Sequence, residues 1–479
     1  MSRWGHALTA FDTATFERTF VVDLPRDPRA VVVSSDGGKA FVTHVAGAHL
    51  SVVDLVRDRA PRVLGLAGNE SFLVARLPVS PTKHVAPGIE RRRRLAGQGY
   101  AVVRGPGSRI LAPQVFTDPG NGVVSGWGGY GDDITVLGDV LALDERTERR
   151  AAEFETARLG ARDCLLPRAA ALDAPTARLF VTCLGLDRVF VYDAAAKSPH
   201  DAIVGRLSVG AGPTGIAIDA AGRRAVVWSQ FDRSLAFLDL DAPLSGPRAA
   251  KATLVALERR GEPQGDDVEL GRRLFHASGD RRISFDGRSC ASCHPDGRDD
   301  AITWTTPNGQ RQTPMLLERL DGTAPYGWDG ARKTTLDHVA RTLERLSGTG
   351  ISDAERRALF AYVGTLRAPV VRAAPSARVA RGDELFHSEA TQCSTCHLDD
   401  DAFTDHAAHD VKSHIASDLG TVAFDTPSLR LVGHSAPYFH DGRYATLEDL
   451  LAATSGTMGT TAGLSEADRA ALVAYLEQL

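Results

Sequence analysis

Alternating apolar and polar positions run through the first half of the chain; after about Arg260 they give way to apolar positions spaced three and four apart. The first pattern predicts half-buried β-strands and the second amphipathic helices. A repeat can be counted within the strand-rich half. Starting at Pro28, Pro167 and Pro213 the chain reads "PRAVVVSSDGGKAFVTH", "PRAAALDAPTARLFVTC" and "PTGIAIDAAGRRAVVWS". Each is an alternating apolar run, a polar turn and a second β-rich run. An aspartate follows 26 residues after each proline, at Asp54, Asp193 and Asp239.

Strand, turn and strand at fixed offsets, recurring about every 46 residues, is the pattern of propeller blades. These segments resemble the YVTN-type β-propellers, so an all-β propeller is expected over residues 1–257. "AFDTATFERTFVVDLP" (Ala10–Pro25) matches the end of a blade. Either this strand closes the ring by completing the last blade, or blades precede it. Residues 55–166 fit the repeat poorly: "APGIERRRRLAGQ" (86–98) reads as a helical insertion, and "TDPGNGVVSGWGGYGDD" (117–133) as a long Gly-rich loop. The basic run Arg91–Arg94 reads as a solvated loop or helix face.

Residues 258–267, including "RRGEPQGDD", read as a linker. The remainder of the chain is an internal duplication. "LGRRLFHASG" (from Leu270) is echoed by "ARGDELFHSEA" (from Ala380), "QTPML" (from Gln312) by "DTPSL" (from Asp425), and "APYGWDG" (from Ala324) by "APYFHDG" (from Ala436). "ISDAERRALFAYVGTL" is echoed by "LSEADRAALVAYLEQL", each opening on a Ser followed three residues later by an acid, a helix-capping pattern. Two all-α domains are expected, at 268–370 and 376–479.

Each duplicate carries one Cys-x-x-Cys-His: Cys290, Cys293, His294, and Cys393, Cys396, His397. That spacing reads as covalent attachment of haem c, two thioethers to one porphyrin edge and a histidine to the iron. A zinc site of four cysteines competes, but paired zinc cysteines usually lie about 15–20 residues apart, and both histidines would go unexplained. The expected cofactors are therefore two haem c groups, and the helical domains are cytochrome c-like. A haem's task follows from its sixth ligand. Met458, in "SGTMG", has no counterpart in "SGTG" (Ser347–Gly350), which makes it the candidate sixth ligand of the second iron and leaves undecided whether the first iron is open at rest. Trp328 stands where the second domain has His440, and an indole at that place can relay electrons.

Composition narrows the class. A net charge of −5 argues against nucleic acid as a partner, and no apolar run approaches the ~18 residues of a membrane span. "MSRWGHALTAFD" lacks the apolar core of a secretory signal. Haem c attachment calls for export, so a periplasmic protein in mature or trimmed form is expected. Cys164 and Cys183, outside the motifs, are either a disulfide or two small buried apolar residues.

Residues 265–479 resemble the bacterial di-haem cytochrome c peroxidase and MauG superfamily, through the two motifs, "WDG" from Trp328, "APYFHDG", "TMG" around Met458, and "FTDHAAHDVKS" with His409. The resemblance implies H2O2 reduction at the N-terminal haem, with electrons relayed from the C-terminal haem through Trp328. The donor would be a small c-type cytochrome or a cupredoxin; in the MauG-like alternative, an aromatic side chain of a protein substrate is oxidised. A two-haem electron carrier without enzymatic activity is the third reading. The resemblance also implies a calcium near Gln312, Ser435 and Pro437. No histidine lies between Asp299 and Gln312, where the peroxidases carry a removable distal ligand; Trp304 is nearest. On the apparent helix "TLDHVARTLERL", His338 and Glu344 are the candidates for distal acid–base catalysis, with Arg341 one turn from His338.

Overall fold

Pro28, Pro167 and Pro213 each open a strand, and in each case the pairing with the next strand slips by a bulge immediately after the proline. Proline has no N–H to give a ladder, so the first residue of a strand or a bulge is where it is tolerated. The computed structural model describes residues 1–56, 62–65, 72–76, 88–92, 94–120, 136–151, 164–197, 202–246, 249–258, 265–369 and 376–479. Three four-stranded antiparallel meanders arise from the counted repeat, beginning at Pro28, Pro167 and Pro213. The repeated aspartates end the third strands. Asp193 and Asp239 accept the backbone N–H two residues on, at 2.9 Å each, which turns the chain into the fourth strand.

A fourth sheet lies in the region that breaks the repeat. Arg109–Thr117 pairs with Val136–Asp144 along its whole length, and Val103–Arg104 and Leu95–Gly97 pair with its other edge. From Ile110 to Thr117 every side chain is buried. These four sheets, with Phe41, Leu50, Phe116, Phe180 and Phe190 almost fully buried between them, build a propeller-like β half.

Three expectations need correction. Segment 86–98 is not a helix: Gly88–Arg92 pairs with Phe72–Arg76, and Leu95–Gly97 joins the sheet edge. The backbone groups offered by neighbouring strands outweigh the weak helical spacing of that segment. Nor is the basic run wholly solvated, because Arg94 is buried. The N-terminal strand does not complete the last meander, which has its own fourth strand in Thr253–Ala256; Ala7–Phe11 and Arg18–Asp23 pair with each other. Most of the Gly-rich segment 117–133 and of the linker 258–267 lies outside the described residues. Cys164 and Cys183 form a disulfide, both fully buried.

Seven α-helices complete the described chain: α1 (Asp266–Phe275), α2 (Cys290–Cys293), α3 (Thr335–Arg345), α4 (Asp353–Val363), α5 (Ala377–Phe386), α6 (Leu447–Ala453) and α7 (Glu466–Leu476). Ser352 and Ser465 cap α4 and α7 by accepting from the N–H three residues on. Helix α1 packs on α4, and α5 on α7, in the same way. The reason is a matched pair of glycines. A Cβ on Gly271 would meet the Ala358 carbonyl at 1.9 Å, and one on Gly382 the Ala471 carbonyl at 2.1 Å. Each crossing requires bare backbone.

Candidate haem sites

Helix α2 is a single turn, and the propeller-like half helps to hold it. Its first residues are capped by Ser289 and Ser292. Gln98, a buried side chain of the β half, donates from Nε2 to the Ala291 carbonyl at 3.1 Å and the Ser292 carbonyl at 2.7 Å. Those are the two residues between Cys290 and Cys293. Two more backbone bonds run between the halves close by: Gly47 N–H to the Asp300 carbonyl at 2.8 Å, and Thr305 N–H to the Pro119 carbonyl at 2.7 Å. Arg288, Ser289, Ala291 and Ser292 are all buried as a result. Burial pushes the Cys290 thiol up to about 11 and the Cys293 thiol well above its ordinary range, so neither is a reactive thiolate.

His294 closes the motif with its ring turned so that Nδ1 donates to the Arg298 carbonyl at 3.2 Å. A carbonyl only accepts, so Nδ1 carries the proton and Nε2 presents a lone pair. Burial lowers its pKa to about 4, keeping the imidazole neutral. In the second motif His397 Nδ1 likewise donates to the Phe403 carbonyl at 3.0 Å, and burial lowers its pKa too. The four motif cysteines are unbonded, while Cys164 and Cys183 pair. Two free thiols and a neutral, oriented imidazole at each site fit covalent haem.

Around the second motif the chain is more open. Gln392 and Thr395 are exposed, and Cys393 opens a short turn, Cys393–Thr395, that Cys396 closes. The Met458 loop closes against it: Thr460 N–H bonds the Thr391 carbonyl at 2.9 Å, and a Cβ on Gly459 would lie 3.8 Å from Cys393 Sγ. Gly459 has φ +80° and would also meet the Thr391 carbonyl at 2.7 Å, so only glycine lets the loop come this close. Met458 itself packs half-buried against the apolar cluster that Cys393 also borders. The matching turn of the first unit bonds instead to Arg281 and Arg282, well before its motif. Cys396, Asp405 and His409 offer ligand atoms within 4.8 Å of one another, but Cys396 belongs to the haem motif.

Trp328 lies on the seam between the two units. Its indole Nε1 donates to the Gln312 carbonyl at 2.9 Å, while its own carbonyl accepts from Asp425 N–H at 3.0 Å. Its ring is 6.4 Å from that of His440, its counterpart in the duplication. His440 is pinned elsewhere, stacked on Phe424 at 3.9 Å and bonded to Asp418 at 3.2 Å. The relay candidate and its counterpart thus meet across one seam. Gln312 Nε2 donates to the Ser435 carbonyl at 3.3 Å, bringing two of the three calcium candidates together; Pro437 lies two residues on.

No family model matches this chain. Among curated proteins, a methylamine utilization protein MauG from Methylorubrum extorquens is 31% identical over 282 residues, covering 45% of this chain and 78% of that protein. The chain belongs to the MauG and di-haem cytochrome c peroxidase superfamily. A cytochrome-c peroxidase IdrP2 from Denitromonas iodatirespirans is 27% identical over 319 residues, covering 48% of this chain and 85% of that protein. A solved MauG-like protein associated with microbial copper homeostasis is 23% identical, covers 45% of this chain and 89% of that chain, and superposes with a TM-score of 0.37. Membership makes this an oxidoreductase of a haem c family.

The distal candidates of this family member separate. His338 is half-buried on α3, its pKa lowered to about 4 by burial and by Arg345, and its charge would disfavour protonation of His294. Glu344 points into solvent, 68% exposed and paired with Arg341 at 2.5 Å. Trp304 is fully buried with its Nε1 bonded to Asp300 Oδ2 at 2.9 Å, which locks it in place. Asp300 is a site residue that the sequence pattern did not single out. It is a buried carboxyl beside Cys293, pushed up to about 7 by burial, and only its position next to Asp299 and close behind the motif hinted at it. Gln98 escaped notice as well, since a lone glutamine between glycines carries no pattern.

Proposed function

We propose that this chain is an exported, periplasmic di-haem peroxidase-like oxidoreductase that reduces H2O2 at the first motif with electrons delivered by way of the second. The observation that supports the reading is Trp328 on the seam of the two motif-bearing units, hydrogen-bonded to Gln312 of the first and Asp425 of the second. Cys290, Cys293 and His294 would hold one haem c, and Cys393, Cys396 and His397 the other, with Met458 as sixth ligand, on cytochrome c-like units at 268–370 and 376–479. The bound haem supplies one-electron chemistry and, where a sixth position is open, a place for peroxide.

The chain supplies the rest. Peroxide cleavage needs a proton moved from the near to the far oxygen, and His338, uncharged at neutral pH, is the base for that transfer. Trp328 relays electrons between the sites. Arg288, Ser289, Ala291 and Ser292, all buried, limit the access of water beside the first motif, and the exposed rim at Gln392 and Thr395 suits docking of a small cytochrome or cupredoxin. The Cys164–Cys183 disulfide accords with an oxidising compartment. Among the described residues no helix is long and apolar enough to cross a membrane.

A second reading, MauG-like oxidation of a Trp or Tyr in a partner protein, is favoured by Trp304: the segment where peroxidases carry a removable histidine holds a locked indole instead. Electron paramagnetic resonance of the diferric protein, before and after one equivalent of H2O2, tests both readings. One high-spin and one low-spin signal, both altered by peroxide, is the expected result. Two low-spin signals untouched by peroxide, in the diferric and half-reduced protein alike, would leave only an electron carrier.

A further inference from the structure

Of the calcium candidates Gln312, Ser435 and Pro437, Ser435 and its neighbours 434 and 436 are crowded by arginine. Arg26, from the propeller-like half, donates to the Ala436 carbonyl and clasps both carboxylate oxygens of Asp299 at 3.0 and 2.8 Å. Arg298 donates to the His434 carbonyl at 3.4 Å. Arg319 donates to Ser435 Oγ at 3.3 Å and to the Arg430 carbonyl. The Ser435 carbonyl accepts from Gln312 Nε2. The carboxylates nearby are already engaged: Asp27 pairs with Arg3 and with Arg298 at 3.3 Å, and Asp299 with Arg26.

These donors do not fit a bound calcium. A hard divalent cation takes six to eight oxygen ligands; here the carbonyl oxygens of residues 434, 435 and 436 each accept an N–H bond, and three guanidinium groups would repel it at close range in a poorly solvated seam. The side chains of Arg298, Asp27 and Asp299 are at most 1% exposed, and that of Arg26 is 12% exposed. Burial and the neighbouring Arg26 pull Arg298 and Arg319 down to about 10, which still leaves both charged at neutral pH.

We propose that the Arg26 guanidinium, delivered by the propeller, takes the place of the interdomain cation, so that the two helical units are joined without calcium. Arginine suits the task because its planar fork holds the Asp299 carboxylate with two nitrogens while reaching Ala436. The propeller then has a structural role: it carries the charge that ties residues 434–436 of the second unit to Asp299 of the first.

The test uses the purified, haem-loaded full chain and does not depend on peroxide turnover, so it stands apart from the proposed activity. Elemental analysis, then calcium titration by calorimetry after chelator treatment, is expected to show no stoichiometric calcium and no binding heat. Chelator should leave the unfolding midpoint and both ferric resonance signals unchanged. Arg26→Met is expected to lower the midpoint by several degrees and shift at least one ferric signal, with Arg26→Lys recovering part of the loss. Stoichiometric calcium in the wild type, or spectra that respond to chelator, would overturn the proposal. So would an Arg26→Met protein with wild-type midpoint and spectra. Should Arg26→Met fail to fold, the wild-type calcium measurements decide alone.

Discussion

Around Cys290 and Cys293 the backbone is walled in by Gln98, Gly47 and Pro119 of the β half, and residues 288, 289, 291 and 292 are all buried. Around Cys393 and Cys396 no residue of the β half is bonded to the motif, among the described residues, and Gln392 and Thr395 face solvent. The two motifs carry the same attachment chemistry and the same Nδ1-to-carbonyl orientation of the histidine. What separates them lies outside the pentamer: the propeller-like β half on one side and a methionine loop on the other. The duplication supplied two equal pentamers, and their surroundings differ: the β half covers the flanks of one, while the other has flanking residues open to solvent.

Substitutions at four positions probe that contrast. Met458→Leu has the largest expected effect. It should turn the second ferric signal high-spin and cut peroxide turnover by at least the roughly 10–100-fold usual for losing a metal site's outer-shell partner. The first signal should hold, because the Ser347–Gly350 turn has no thioether to lose; an unchanged second signal would remove Met458 from the iron. Next, Gly271→Ala and Gly382→Ala test what the units share. A methyl pressed into a backbone carbonyl should cost each crossing about 3 kcal/mol, read as a drop in denaturant midpoint of similar size for both. A loss in one variant alone would show that the two crossings differ. Gln98→Ala then addresses the first site by itself. Leaving two buried carbonyls without their donor should cost about 1–3 kcal/mol and perturb the first ferric signal while the second stays put.

Much of this arrangement was legible in the chain because it is local or repeated. Pro28, Pro167 and Pro213 mark strand starts through a missing N–H, Asp193 and Asp239 mark turns through a side-chain bond two residues on, and Ser352 and Ser465 mark helix starts. Each signal is spent within a few residues of its source. The contacts that tell the two motifs apart are not of that kind. Gln98 lies 193 and 194 positions from the carbonyls it serves, and Arg26 lies 410 from Ala436. Nothing in "AGQGY" or "LPRDP" announces such a partner. Segment 86–98 failed for the same reason: its strand state depends on edges supplied by Phe72–Arg76 and Arg109–Thr117. Helical spacing says which residues of α3 share a face and leaves open which face turns inward, so the exposure of Glu344 was not legible.

The smallest effect concerns pH, and it too divides the two sides of the seam. His406 of the second unit reaches the first through Nδ1, which donates to the Ala324 carbonyl at 2.5 Å, while Nε2 pairs with Asp401 at 2.8 Å. The Asp401 hydrogen bond, foremost, and the Ala324 carbonyl raise its pKa above the ordinary 6.5, against a smaller lowering by burial. The folded state therefore holds the proton more tightly than the unfolded chain. The stabilisation is fully present below about pH 6.5 and is lost as pH rises through the higher folded value. Asp401 is half exposed, so solvent and salt screen the pair and its worth stays below about 1 kcal/mol. Urea midpoints at about pH 5.5 and about pH 8.5 should show the alkaline loss in the wild type and a smaller one in His406→Gln, with high salt narrowing the gap. Equal slopes in the two proteins would place the pH dependence elsewhere. The arginines on the buried side of the seam keep their charge across that range, so titration near neutrality should loosen the seam from its exposed edge.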